Sequence, residues 1–118
     1  MWNSLLKRQP GLRGAVLGMF LCVLAAPVAA ENPAPARQAE LLNLVRHDCG
    51  SCHGLTLAGG LGLPLLPEAL KGKSPEALRE TILRGRGGTP MPPWQAFLTE
   101  SEAGWIVESL MKGLPDVH

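Results

Sequence analysis

A chain of 118 residues, with 18% charged residues and a formal charge of +1, has room for one domain and little more. The near-neutral balance excludes a protein that holds nucleic acid through a clustered basic surface. At 46% hydrophobic residues, it also excludes a chain too polar to build a core.

Residues 1–30 carry the features of a cleaved signal peptide. Lys7, Arg8 and Arg13 form a positive front, and no acidic residue occurs before Glu31. Ala15 to Ala26 is apolar apart from Gly18, and Pro27 ends the run. Val28-Ala29-Ala30 then offers small side chains at a signal peptidase site. An uncleaved anchor is the competing reading, but the run is shorter than the ~18 apolar residues that span a bilayer. Cys22 lies inside the run without the small residues of a lipoprotein site before it, and is left out of the chemistry. The expectation is export to the periplasm, with no stable membrane insertion after cleavage. The mature domain is then residues 31–118, in which eight Lys/Arg face ten Asp/Glu, a mild acidity that again argues against nucleic acid.

Glu31 to Ala36 reads as a loose Pro/Ala lead-in. From Pro35 the spacing of Leu41, Leu44 and Val45 predicts a helix running into His47. Leu55 to Gly72 is a loop by its glycines and prolines. Ser74-Pro75-Glu76 starts a second helix, with Leu78 and Ile82 on one face, Glu80 placed to pair with Arg84, and Gly85 as the stop. Gly85 to Pro93 is irregular, because prolines crowd Met91 on both sides. Thr99-x-x-Glu102 has the form of a capping box. After it, Ala103, Ile106, Val107, Leu110, Met111 and Leu114 give the last helix a broad apolar face. No stretch alternates like a strand. The reading is a small all-α domain with long loops. Its core is thin, with Trp94, Trp105 and Phe97 as its aromatics, and a large buried prosthetic group would supply the missing apolar centre.

Cys49-Gly50-Ser51-Cys52-His53 is the C-x-x-C-H signature of covalent haem attachment. Two thiols three positions apart on a helical turn reach the two vinyl groups on one edge of a haem. The next residue then points its imidazole at the iron. Three other readings compete. A thioredoxin-like redox pair needs a βαβ context. A zinc site needs further ligands, for which only His47, Asp48 and His118 are on offer. A structural disulfide leaves His53 unexplained.

For the other axial position Met91 leads, since a thioether suits haem iron and His/Met ligation raises the potential toward electron-transfer use. Its loop, Thr89-Pro90-Met91-Pro92-Pro93-Trp94, is stiffened by three prolines. Met91 as mere core filling is the alternative, and Met111, at core spacing on the last helix, is the better example of that role. His47 sits too near the motif to swing over the haem, and His118 is the chain end. His53 is expected to give its other ring proton to the carbonyl of Leu63 or Pro64. Arg84, Arg86 or Trp94 could hold a haem propionate, against the alternative that the arginines are solvated and Trp94 is core.

The order of helix, C-x-x-C-H, Gly/Pro loop, helix, Met loop and helix resembles a class I cytochrome c. Closer stretches are Arg46 to Leu57, Gly59-Gly60-Leu61-Gly62, Pro67-Glu68-Ala69-Leu70 and Gly88 to Trp94. These resemble the NirC-type monohaem cytochromes found with denitrification genes. The resemblance implies a small helical domain wrapped around one covalent haem c. It makes Cys49 and Cys52 the thioether sites, His53 the proximal ligand and Met91 the distal one. It implies a periplasmic redox partner, either the cytochrome cd nitrite reductase or an enzyme that matures its d-type haem. One departure stands out: cytochromes of this kind carry Gly-Pro after the motif, whereas this chain reads Gly62-Leu63-Pro64.

The expected function is one-electron transfer, not catalysis, since no acid/base or nucleophile cluster stands beside the motif. Contact is expected at the haem edge near the cysteines, with complementary charge setting the docking rate. The alternative is a haem enzyme or small-ligand sensor in which Met91 leaves the iron open. Leu61, Leu63, Leu65 and Leu66 are either core or contact surface, and a loop this apolar is expected to pack against the haem.

Overall fold

In the computed structural model of the protein, residues 32–115 are described. The leader read over residues 1–30, with Cys22, lies outside them, as does His118. Pro35 opens α1 (Pro35–Leu44), where its missing N–H is harmless and its fixed φ suits the first turn. Gln38 Nε2 donates to Pro33 O at 2.8 Å and ties the lead-in back onto the helix. The helix does not end near His47. It widens into a π-helical turn over Val45–Cys49 and tightens again as α2 (Gly50–His53). Leu41 and Val45 are buried on this continuous segment.

A four-residue helix, α3 (Pro67–Leu70), lies inside the stretch read as loop. One turn is too short to leave a periodic signature, and only its proline start and the buried Leu70 mark it. Helix α4 (Pro75–Arg84) begins as the sequence predicts, with Ser74 Oγ accepting the Ala77 N–H at 3.3 Å. The Glu80–Arg84 pair forms one turn apart at 2.7 Å. Gly85 terminates the helix.

Helix α5 (Glu100–Lys112) is the hub against which α1, α3 and α4 pack. It buries Ala103, Ile106, Val107 and Leu110, and Ala103, Ile106 and Leu110 meet Leu41, Leu57, Leu70, Leu83 and Leu98 from the rest of the chain. The fold is all-α, with no strand among the described residues. No described helix is long and apolar enough to cross a membrane.

The start of α5 is doubly fastened. Thr99 Oγ1 accepts the Glu102 N–H, and Glu102 Oε2 accepts the Thr99 N–H at 2.8 Å, closing the capping box. Arg37 of α1 donates to the other Glu102 oxygen at 2.6 Å, linking the first and last helices. These bonds, Arg37's first, hold the Glu102 carboxyl below its ordinary value of 4.5. A depressed carboxyl stabilises the fold above its unfolded pKa and ceases to do so as pH falls through its folded one. Thermal unfolding is therefore expected to move to lower temperature as pH drops below the ordinary carboxylate range, and Glu102→Gln to flatten that acid limb. At neutral pH Thr99→Ala should cost about 1 kcal/mol, a fall in Tm of about 4–8 °C by calorimetry.

Candidate functional site

The C-x-x-C-H residues span the end of the π-helical turn and α2, so one continuous helix carries both thiols and the imidazole. Cys49 and Cys52 are half-buried and unbonded. Burial first, and the neighbouring Asp48 charge second, push the Cys49 thiol up to about 11. A thiol held protonated at neutral pH is a poor redox nucleophile. Among the described residues there is no sheet to frame a thioredoxin-like pair, and no three His, Cys, Asp or Glu side chains are grouped to hold a metal ion.

Helix α2 leaves its last carbonyls without intrahelical partners. The glycine-rich loop that follows turns back to satisfy them. Gly62 N–H donates to Cys52 O at 2.8 Å, and Gly59 N–H donates to His53 O at 2.9 Å. This return brings Leu63 O to 2.7 Å from His53 Nδ1. The shift of the proline to position 64 does not displace the acceptor from the loop. The acceptor is the residue in front of the proline, one the ring restricts to extended backbone. With Nδ1 donating to that carbonyl, Nε2 is the nitrogen left for a metal. Gly62 lies against the imidazole itself: a Cβ there would stand 2.7 Å from Nδ1 and Cε1.

Met91 is half-buried in the segment after α4. The same device holds that segment. Trp94 N–H donates to Ile82 O and Gln95 N–H to Leu83 O, both at 3.1 Å, so the chain beyond Met91 caps the last turn of α4. Arg86 N–H donates to Met91 O at 3.2 Å, and Thr89 Oγ1 donates to Arg86 O at 2.7 Å. Each candidate ligand thus sits beside a helix C-terminus whose carbonyls are satisfied by its own loop.

The remaining sequence candidates separate cleanly. Met111 is half-buried and packs on the core beside Leu110. His47 is exposed on the π-helical turn. Trp94 packs against the core and meets the Phe97 ring edge-on at 6.0 Å, as the core reading of it anticipated. Arg84 is paired with Glu80 and Arg86 is exposed. Two features had no sequence signal: Gly62 beneath the ring, and Leu57, a buried leucine with φ of 58°. That left-handed backbone costs about 1–2 kcal/mol for a non-glycine residue. It places Leu57 O to accept the Leu65 N–H at 2.9 Å while the side chain joins the core.

The donor set fits a covalent haem: two unbonded thiols at vinyl spacing, then an imidazole with one nitrogen engaged and the other open. Comparison with known proteins agrees. The family profile of "Cytochrome C oxidase, cbb3-type, subunit III" matches residues 36–108. Cytochrome c55X of Pseudomonas aeruginosa is 54% identical over 94 residues, covering 80% of this chain and 78% of that protein. The solved structure of the c-type cytochrome NirC superposes with a TM-score of 0.68 at 55% identity, covering 70% of this chain and 96% of that one. The solved dihydro-heme d1 dehydrogenase NirN, in complex with DHE, matches at 38% identity and a TM-score of 0.57, over 63% of this chain and 16% of that much longer one. The chain belongs to the cytochrome c55X/NirC family of c-type cytochromes, whose cofactor is a covalent haem c.

Proposed function

We propose that the protein is a periplasmic one-electron carrier of the nitrite-reduction system. In this reading residues 1–30 are removed on export, and residues 31–118 hold one haem through thioethers at Cys49 and Cys52. His53 and Met91 are its axial ligands. Haem iron, when bound, supplies the one-electron couple. The chain's own contribution is to hold the two ligands still. The observation that carries the reading is the fixed His53 ring, whose Nδ1 donates to Leu63 O at 2.7 Å. A ring anchored in this way keeps one tautomer and one orientation, which limits the rearrangement that a one-electron step would need. The prolines around Met91, and the bonds from Trp94 and Gln95 to α4, support the same role on the other side. The likeness to a dihydro-heme d1 dehydrogenase supports a partner that handles d-type haem, either the cytochrome cd nitrite reductase or a maturation enzyme.

The test starts from protein exported with its own leader and matured in the periplasm. Its intact mass should equal residues 31–118 plus one haem, and its spectrum should carry the sulfur-to-iron band of Met ligation. Met91→Ala should abolish that band and open the iron to carbon monoxide, while His53→Ala should prevent stable holo-protein. In stopped flow, the reduced protein should pass electrons to oxidised nitrite reductase. Carbon monoxide binding to the unaltered protein would favour the enzyme or sensor alternative instead.

A further inference from the structure

Away from the haem motif, a cleft of about 500 Å³ opens between α4 and α5. None of the residues lining it belongs to the C-x-x-C-H segment, to the loop after it or to the Met91 loop. On α5, Glu100, Gly104 and Glu108 recur every fourth residue and share the face turned to it. The buried Ala103, Ile106, Val107 and Leu110 take the other face. From α4 comes Arg79, whose stem crosses the bare backbone of Gly104, where a Cβ would stand 3.9 Å from Arg79 Cδ. Arg79 Nε is fully enclosed, yet among the described residues it has no hydrogen-bond partner. The acids of its own helix are engaged elsewhere, Glu76 by Ser74 Oγ and Glu80 by Arg84, both at 2.7 Å. A buried N–H of a cation without an acceptor is rare enough to need an explanation.

The explanation lies at the other wall, where Asn32 lines the same cleft. Its place is fixed, since Gln38 Nε2 donates to the next carbonyl, Pro33 O, at 2.8 Å. Residue 31 is one peptide away, which puts its Cα about 3.8 Å from that of Asn32. That residue is Glu31, the first acid of the chain. We propose that Glu31, as the first residue of the processed protein, seats in this cleft, its carboxylate accepting from Arg79 and its new α-ammonium facing Glu100 and Glu108. The proposal rests on the reading above that residues 1–30 are removed on export. A residue with one negative and one positive group matches a cleft that carries one cation and two carboxylates in its walls. Glu108 also meets Lys112 at 3.4 Å, but through Oε2 alone, which leaves its other oxygen for the ammonium. Before cleavage the same nitrogen is an uncharged amide, so the ammonium contact exists only once the leader is gone. Leader removal thereby fastens the lead-in of α1 to α4 and α5.

The experiment uses holo-protein exported with its own leader, with intact mass to fix its first residue. Thermal unfolding is followed for Glu31→Gln, Arg79→Gln and the two together. Each single change should lower Tm by about 4 °C, and the double variant should fall no further than the lower of the two. The Arg79 Nε–H resonance of the reduced protein, identified by its loss in Arg79→Gln, should shift in Glu31→Gln. Gly-Ser inserted between Ala30 and Glu31 carries the ammonium two residues away and should lower Tm by about 1–4 °C. Single effects that add, with an unmoved Nε–H resonance, would overturn the contact between Glu31 and Arg79 while leaving the leader and carrier readings intact. An insertion variant with the wild-type Tm would overturn the role of the ammonium. A wild-type Tm that rises in excess sodium acetate, at constant ionic strength, would assign the cleft to a free carboxylate and overturn the proposal as well. A mass that starts at another residue would overturn the leader boundary, and this proposal with it.

Discussion

Gly85→Ala is expected to detach the Met91 loop. At Gly85 the backbone has φ of 69° and ψ of −169°, a region that essentially only glycine occupies. A Cβ there would stand 2.6 Å from Met91 O, 2.8 Å from Pro92 C and 2.9 Å from Pro93 N. All three are backbone atoms of a proline-stiffened segment, so no side chain can rotate out of the way. The loop would have to lift from the end of α4, giving up the bonds from Trp94 to Ile82 and from Gln95 to Leu83. Strain of about 1–3 kcal/mol, added to two or three lost hydrogen bonds at about 1 kcal/mol each, predicts a loss of roughly 3–6 kcal/mol. Thermal unfolding of the holo-protein measures that loss. The second readout is ligand binding: with Met91 displaced, carbon monoxide and imidazole should bind an iron that resists them in the wild type. A variant that keeps the wild-type Tm and refuses both ligands would show that the loop does not depend on this contact.

The sequence made most of the helical frame legible because its signals were local. Ser74-Pro75 and Thr99-x-x-Glu102 are chemical instructions about which side chain meets which N–H, and both are obeyed atom for atom. The apolar face of α5 is legible for the same reason, since a period of 3.6 is written within the element. The π-helical turn was not. Val45 to Cys49 keeps apolar spacing that suits an α-helix, and no residue in it announces the wider turn. Leu57 shows the opposite failure. A leucine in a glycine-rich loop suggests exposure or β backbone, yet its left-handed φ is held by bonds to Gly54 and Leu65 on either side.

For the site, the thiols and the imidazole were legible from spacing alone, while their support was only partly so. The two carbonyls considered for His53, those of Leu63 and Pro64, were the right pair to consider. Choosing between them needed the return of the chain through Gly59 and Gly62, a matter of loop closure. The leucines of the loop posed the same problem more sharply. Leu61 and Leu66 are alike as residues, and only the path of the backbone decides that one packs inward and the other faces solvent.

Gly62→Ala tests the other ligand. Unlike Gly85, this glycine is set apart by close approach: an added methyl would stand 2.7 Å from His53 Nδ1 and Cε1 and 3.1 Å from Nε2. Contacts under 3 Å force a movement, and the ring has no free direction in which to move. One nitrogen is bonded to Leu63 O, and the other is the proposed iron ligand. The cheapest escape is to swing the loop outward, which breaks the Nδ1 bond to Leu63 O and strains the Gly62 bond to Cys52 O. Overpacking at about 1–3 kcal/mol plus one lost hydrogen bond predicts a destabilisation of roughly 2–4 kcal/mol. A purely structural glycine would give that result alone. A glycine that positions the ligand also changes the metal's electronics. An imidazole that donates its Nδ1 proton to a carbonyl is a stronger electron donor through Nε2, and that favours the oxidised iron. Losing the bond should therefore raise the reduction potential, with Met91 still bound and the sulfur-to-iron band still present. The pairing of a raised potential with intact Met ligation separates this variant from Gly85→Ala, in which the band itself is lost. An unchanged potential in a destabilised Gly62→Ala protein would mean that the ring keeps its carbonyl and that Gly62 acts on packing alone.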